Sequence, residues 1–297
     1  MKTNNPIQGY KGFNKNLQCR DFQYEVGKEY ETDKAIAYNT GFHFCESPFN
    51  VWGYYPPANE NGLNRFCEVE GSGKIDDSEN DKTCCTHLKI KAEIGINGLI
   101  KAGVKFIMDR VKWDNAATNT GYRSAATNTG NYSAATNTGN YSAATNTGDY
   151  SAATNTGYRS AATNTGNQSA ATNTGYQSAA TNTGDYSAAT NTGDYSAATN
   201  TGDYSAATNT GDYSAATNTG NRSAASVEGK ESIAIVTGKD SKAKGAIGCW
   251  IVLTERSEWD GETYPIIEVK AFKVDGTVIK PDVYYKLVDG QPVEVND

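Results

Sequence analysis

The 297-residue chain has no apolar run approaching the ~20 residues that span a bilayer, so insertion into a membrane is not expected. It also lacks an excess of positive charge. Lys+Arg is 27 against Asp+Glu 34, the net charge is -7 and the pI about 5.0. That excludes a chain-wide basic footprint for nucleic acid, and no nucleic-acid partner is expected. Apolar residues are scarce at 37%, below the ~45–50% of ordinary globular domains, a range that also counts glycine. There are only 2 Met but 30 Gly. The first residues, MKTNNPIQGYKGF, lack the apolar stretch of a signal peptide, so reduced thiols are expected rather than a disulfide framework. Five of the six cysteines (Cys19, Cys45, Cys67, Cys84, Cys85) precede residue 86, and Cys249 stands alone. His43, Cys45, Cys84, Cys85 and His87 are of zinc-ligand type, but HFC and CCTH lack the two-residue spacing of zinc knuckles, and no metal site is expected.

What the chain has is a repeat. From Ala116 the unit AATNTGxxS recurs every nine residues, with 14 glycines in register from Gly121 to Gly238. Twelve copies keep AATNTG unchanged, and two degenerate copies follow, AASVEGKES and IAIVTGKDS. Three segments result: 1–115, an N-terminal domain; 116–241, the array; and 242–297, a C-terminal piece. Their charges are -1, -3 and -3. The repeat offers no apolar positions three and four apart, which excludes an amphipathic helix. Its second position stays Ala in the degenerate copies (Ala225, Ala234), and its fourth changes from Asn to Val227 and Val236. Positions that accept either Asn or Val read as interior. Strand alternation then turns the ninth-position Ser, second-position Ala and fourth-position Asn inward. The first-position Ala and the two Thr point outward. The sixth-position glycine is expected to supply a positive φ to the turn. One nine-residue unit cannot close a coil, whereas two make an 18-residue coil of a parallel β-solenoid. Tyr122, Tyr158 and Tyr176, all at the seventh position and all in odd-numbered copies, support the doubling. Seven coils at about 4.8 Å give a stack of roughly 34 Å, with the inward Asn137, Asn155 and their equivalents able to form amide ladders.

The ends need caps. CWIVLTE, YPIIEVKAFKV, TVIK, VYYKLV and PVEV, with three Asp-Gly pairs among them, read as a C-terminal β-meander. GLIKAGVKFIMDRVKW reads as a helix after an N-cap at Asn97, joining the array at Trp113–Asn115. Residues 1–96 read as mixed α+β. The fold class is thus mainly β: an α+β domain ending in a capping helix, a β-solenoid and a β-meander cap.

Three resemblances bear on function. The stretch GKESIAIVTGKDSKAKGAIG (229–248) resembles the left-handed β-roll heads of trimeric autotransporter adhesins, which implies a rod that presents or binds at a surface. A homotrimer or another homo-oligomer is compatible with it. IQGYKGFNKNLQCRDFQYEVGKEYE, GFHFCESPFNVWGYY and RFCEVEGSGKI resemble a domain of unknown function found in phage and prophage proteins. That implies a phage-associated protein, located in a host cytoplasm or a virion. The order YKGF, GFHF, SPFNVWGYY is also similar to ADP-ribosyltransferase-like folds. This resemblance implies that Tyr54 or Tyr55 stacks on nicotinamide, His43 touches the ribose, and Glu68 or Glu70 stabilises the oxocarbenium-like state; Lys11 stands where those folds use His or Arg.

The reading adopted is a non-enzymatic structural or binding protein. The solenoid is a rod or ligand-presenting surface, the N-terminal domain a recognition or attachment module, and no cofactor is required. Tyr132, Tyr150, Tyr186, Tyr195, Tyr204 and Tyr213 are its candidate binding residues, suited to a protein or glycan surface. The outward third- and fifth-position threonines also resemble the flat arrays of ice-binding solenoids, which is a second alternative beside the enzyme.

Overall fold

The computed structural model describes residues 6–37, 39–59, 62–78, 81–110 and 116–295. It is mainly β, with 46% strand and 8% helix. The chain separates into two compact units, one formed by residues 1–56 and 61–106 and one by residues 57–60 and 107–296.

In the first unit, β1 (Ile7–Phe13), β2 (Glu29–Glu31), β3 (Phe42–Phe44), β4 (Arg65–Asp76) and β5 (Thr83–Glu93) form one antiparallel sheet. Its path runs β1-β4-β5-β2, with β3 also on β5. Alternation along β4 sends Cys67 and Val69 into a core with Phe13, Leu17, Phe44, Leu88 and Ile90. Helix α1 spans Gly95–Arg110. It starts two residues before the expected cap: Gly95 adopts φ +59° and the Gly98 N–H bonds the Ile94 carbonyl, so Asn97 lies within the first turn. Val111 and the Trp113–Asn115 junction lie outside the described residues.

The second unit holds a parallel β-solenoid of about eight turns. Strands alternate between two sheets. One carries Ala134–Asn137, Ala152–Asn155 and their equivalents every 18 residues; the other carries Ala125–Asn128, Ala143–Asn146 and theirs. Identical residues stack in register, Ala134 on Ala152 and Asn137 on Asn155. The 18-residue coil is therefore present. The turn beyond the expected seven comes from Lys242–Gly245 and Trp250–Arg256, which continue the two parallel stacks past the last repeat.

Beyond the first coil, inward Ser, Ala and Asn are buried as the alternation requires, and the AATNTG coils repeat one bonding scheme. The Ser142 N–H donates to Ser160 Oγ at 3.0 Å, and Ser160 Oγ donates to the Gly139 carbonyl at 3.2 Å. Asn155 Nδ2 donates to the Ser142 and Ala161 carbonyls, while its Oδ1 accepts from the Gly157 N–H at 2.8 Å. The expected asparagine ladder is thus replaced. Serine carries the side-chain ladder, and asparagine clamps each turn through backbone groups. A polar interior this thin stands because its buried groups are paired.

The turn differs from expectation in a second way. The left-handed residue is the eighth, not the sixth: Tyr132, Tyr141, Arg159 and Gln177 have φ between 50° and 57°. This directs the Tyr132 N–H to the Asp149 carbonyl of the next coil at 3.0 Å. The sixth position is glycine because stacking leaves no room for a side chain. A Cβ on Gly175 would overlap the Gly157 carbonyl oxygen one coil away. The first position splits as well. Ala134, Ala152 and Ala170 are buried on one sheet, whereas Ala143, Ala161 and Ala179 stay half-exposed on the other.

The C-terminal meander is resolved into two hairpins. Trp250–Arg256 with Ile266–Lys273 extends one sheet, and Tyr284–Val288 with Gln291–Val295 extends the other through Ala243 and Tyr285. TVIK is not a strand: the Asp275 carboxylate accepts from the N–H groups of Thr277, Val278 and Ile279 and winds that segment into a loop.

Candidate functional site

A concave site is present in each unit among the described residues. The first is a groove of about 700 Å³ along one edge of the solenoid. Its floor is the half-exposed first-position alanines, and its rim is the eighth-position residues Arg123, Tyr141, Arg159, Gln177, Tyr195 and Tyr213. Seventh-position Tyr122, Tyr158 and Tyr176 fall on this same edge, which explains why they occur only in odd-numbered copies. Together the rings form one row, Tyr122–Tyr141–Tyr158–Tyr176–Tyr195–Tyr213, with successive centroids 5.0–5.8 Å apart. The Arg123 and Arg159 guanidinium groups lie over neighbouring rings at 5.2–6.0 Å. Five of the six rings remain well exposed, from 41% at Tyr141 to 63% at Tyr122.

On the opposite edge Tyr132 stacks on Tyr150 at 4.9 Å and Tyr186 on Tyr204 at 5.1 Å, and the eighth position between the two pairs is Gln168. Of the six tyrosines chosen from sequence, Tyr195 and Tyr213 therefore line the groove, whereas Tyr132, Tyr150, Tyr186 and Tyr204 sit on the other edge. Tyr141, not among the six, lines the groove as well, since an 18-residue step places residues 123, 141, 159, 177, 195 and 213 on one edge.

The second site is a cavity of about 630 Å³ in the N-terminal unit. Glycines shape it. A Cβ on Gly9 or Gly71 would meet the Phe44 ring, so these two positions leave the slot that seats Phe44 and carries His43 beside it. A Cβ on Gly12 would fall 2.5 Å from the Tyr55 Cβ, so only glycine admits Tyr55 to the wall. Lys11, His43, Tyr54 and Tyr55 all line the cavity, with Arg20, Asp21 and Lys82. The Tyr54 hydroxyl bonds Asp81, and Lys82 Nζ lies 5.0 Å over the Tyr54 ring. Burial, then Lys11, Lys82 and Arg20, push the His43 pKa down, so its ring is neutral at pH 7. Burial raises the Tyr55 hydroxyl well above its ordinary range.

Glu68 and Glu70 are not brought to the cavity. They lie opposite Tyr10 and Gln8 in the β1–β4 pairing, and Glu70 Oε2 accepts from Gln8 Nε2 at 2.6 Å, with Lys91 at 3.8 Å. Alternation explains it: Cys67 and Val69 take the core face of β4, leaving Glu68 and Glu70 on the other. Burial pushes the Cys45 and Cys85 thiols up to about 12 and Cys84 up as well, so they remain neutral. Among the described residues no three or more His, Cys, Asp or Glu side chains converge for a metal, and no helix is long and apolar enough to cross a membrane.

Residues 7–102 match the family model described as a domain of unknown function, DUF7666. The N-terminus carries a DUF7666 domain. No curated protein and no solved structure matches the chain. The match ends within α1, so the solenoid lies outside the DUF7666 segment, and the Lys11–His43–Tyr55 cavity lies inside it.

Proposed function

We propose that this protein is a non-enzymatic binding protein whose solenoid holds a linear glycan along its tyrosine groove, with the DUF7666 domain as recognition or attachment module. The observation that carries the reading is the unbroken row of six rings on one edge, five of them well exposed. Flat aromatic faces stack on the C–H faces of sugars, and Arg123, Gln177, Asp194 and Asp212 beside them offer donors and acceptors to hydroxyls. Coils repeat at about 4.8 Å, so the row presents the same chemistry along its length, as an extended polymer requires. The phage association and adhesin-like role implied by sequence resemblance belong to this same proposal.

The enzyme reading is weaker, since Asp21 is the one carboxylate among the cavity's lining residues. Ice binding has one observation in its favour: Thr136 stacks on Thr154 and Thr145 on Thr163 in register, so both sheets carry threonine ranks. Self-association fits the C-terminal end of the solenoid. There the outward positions turn apolar at Ile233, Ile235, Trp250 and Val252, and the edge strand exposes Ile266, Ile267 and Val269. A second copy is the occupant proposed, because antiparallel pairing about Val269 sets Glu268 opposite the other copy's Lys270.

Affinity electrophoresis through gels containing soluble linear polysaccharides tests the groove. The Tyr141→Ala/Tyr195→Ala/Tyr213→Ala variant is expected to lose retardation by at least about tenfold in affinity, at roughly 1 kcal/mol per ring. Tyr132→Ala/Tyr150→Ala/Tyr204→Ala is expected to migrate as the unaltered protein does. Equal behaviour of the two variants would contradict the assignment.

A further inference from the structure

We propose that the N-terminal cavity binds a small anion bearing a planar ring, of the nucleoside phosphate class, with Lys11 receiving the negative charge. This deepens the recognition role proposed for the DUF7666 domain and does not depend on the groove.

Lys11 is a buried cation, only 5% exposed. Its Nζ donates to the His43 carbonyl at 2.6 Å and to Cys19 Sγ at 3.6 Å, and it lies 5.5–5.6 Å from the Tyr24 and Phe13 ring centroids. Lys11 forms no ion pair with a carboxylate among the described residues. A buried ammonium without a counter-ion is costly, and its third N–H has no acceptor assigned to it. An anion entering the cavity would supply both.

Arg20 and Lys82 line the same cavity with Asp21, and Asp81 holds the Tyr54 hydroxyl at its wall, so cations outnumber carboxylates among the described residues there, in a chain whose net charge is -7. Such a concentration of cations in a concave, partly apolar site focuses potential on an anion.

The cavity, about 630 Å³, falls within the ~300–1,000 Å³ typical of small-molecule sites. Its walls are aromatic, with Phe22, Tyr54 and Tyr55 among them, which suits a planar ring. His43 Nε2 is buried without a partner. That nitrogen is open to a hydroxyl such as those of a ribose. An anion, a planar ring and a hydroxyl between them describe a nucleoside phosphate.

Calorimetric titration of the full chain with AMP, adenosine and inorganic phosphate tests this. AMP is expected to bind, and more tightly than adenosine. Lys11→Met is expected to weaken AMP at least about tenfold, the worth of one charge-assisted hydrogen bond, and to leave adenosine unchanged. Its Tm is expected to stay level or rise, because the substitution removes a buried charge. Should Lys11→Met not fold, Arg20→Gln, at an exposed position, is expected to weaken AMP in the same direction. No AMP binding, or AMP binding indifferent to both substitutions, would overturn the proposal. Phosphate binding as tightly as AMP would overturn its planar-ring part. None of these results bears on polysaccharide binding by the solenoid, so the two sites fail separately.

Discussion

A chain ending at residue 241 is expected to aggregate, whereas the full chain stays monodisperse in the same buffer. The reason is the distribution of apolar mass. Along most of the solenoid the interior is Ala, Ser and Asn. A large apolar cluster of the second unit gathers Val227 and Val236 with Cys249, Ile251, Leu253, Val274, Ile279, Tyr285 and Leu287. Truncation removes the last seven of these. At ~1.5 kcal/mol or more for each side chain, the loss is roughly 10 kcal/mol, comparable to the whole stability of a typical domain. It also bares the strands Ala224–Val227 and Ile233–Val236, which now pair with Lys242–Gly245 and Trp250–Arg256. Unpaired parallel edges with Ile233 and Ile235 on one face are templates for further chains. Sedimentation velocity reads the result. A monodisperse, β-rich chain of 241 residues with near-native melting would show that the serine and asparagine bonds suffice without the hairpins.

Gly175→Val is expected to divide the array. Gly175 is not in the left-handed region, so φ is not the obstacle. The obstacle is the Gly157 carbonyl, which occupies the place a Cβ needs, with Ser178 Oγ behind it. Relief requires two coils to part. That breaks the Ser196 Oγ to Gly175 carbonyl bond at 3.2 Å and the Gly175 N–H to Asn173 Oδ1 bond at 2.7 Å. Buried backbone groups left without partners, added to overpacking, place the cost at about 4 kcal/mol or more. Each coil of a solenoid is supported by its neighbours, so the loss spreads along the stack. Thr174→Val, one residue away on an exposed side chain, is expected to change stability by no more than about 0.5 kcal/mol. Thermal melting with limited proteolysis separates the two. Equal melting of both variants and no new cleavage near residue 175 would contradict the close-stacking account.

The solenoid was legible because its constraints are periodic. Gly, Ser and Asn recur where stacked coils bond, and the degenerate copies reveal the interior positions by turning to Val227 and Val236. The roles were less legible than the positions. Tyr, Arg and Gln at the eighth position carry no local sign of a left-handed backbone; that conformation is imposed by the bond from Tyr132 to the next coil. The glycine requirement came from a neighbour 18 residues away rather than from its own turn. The Asp-Gly pairs were equally ambiguous. Asp289-Gly290, with φ of 49° and 68°, is a two-residue hairpin turn, whereas Asp275-Gly276 opens a capped loop. In the N-terminal domain Tyr54, Tyr55 and His43, grouped by resemblance, line one cavity. Glu68 and Glu70 were drawn in by resemblance, against the alternation of their own strand.

The central claim is that one edge of the solenoid is a binding surface and the other is not. Tyrosine nitration read by peptide mass spectrometry, with and without a saturating soluble polysaccharide, tests it ring by ring. The account predicts that ligand protects Tyr141, Tyr195 and Tyr213, while Tyr132, 43% exposed on the opposite edge, reacts equally in both samples. Protection confined to Tyr132 and its neighbours, or no protection with any polysaccharide, would contradict it.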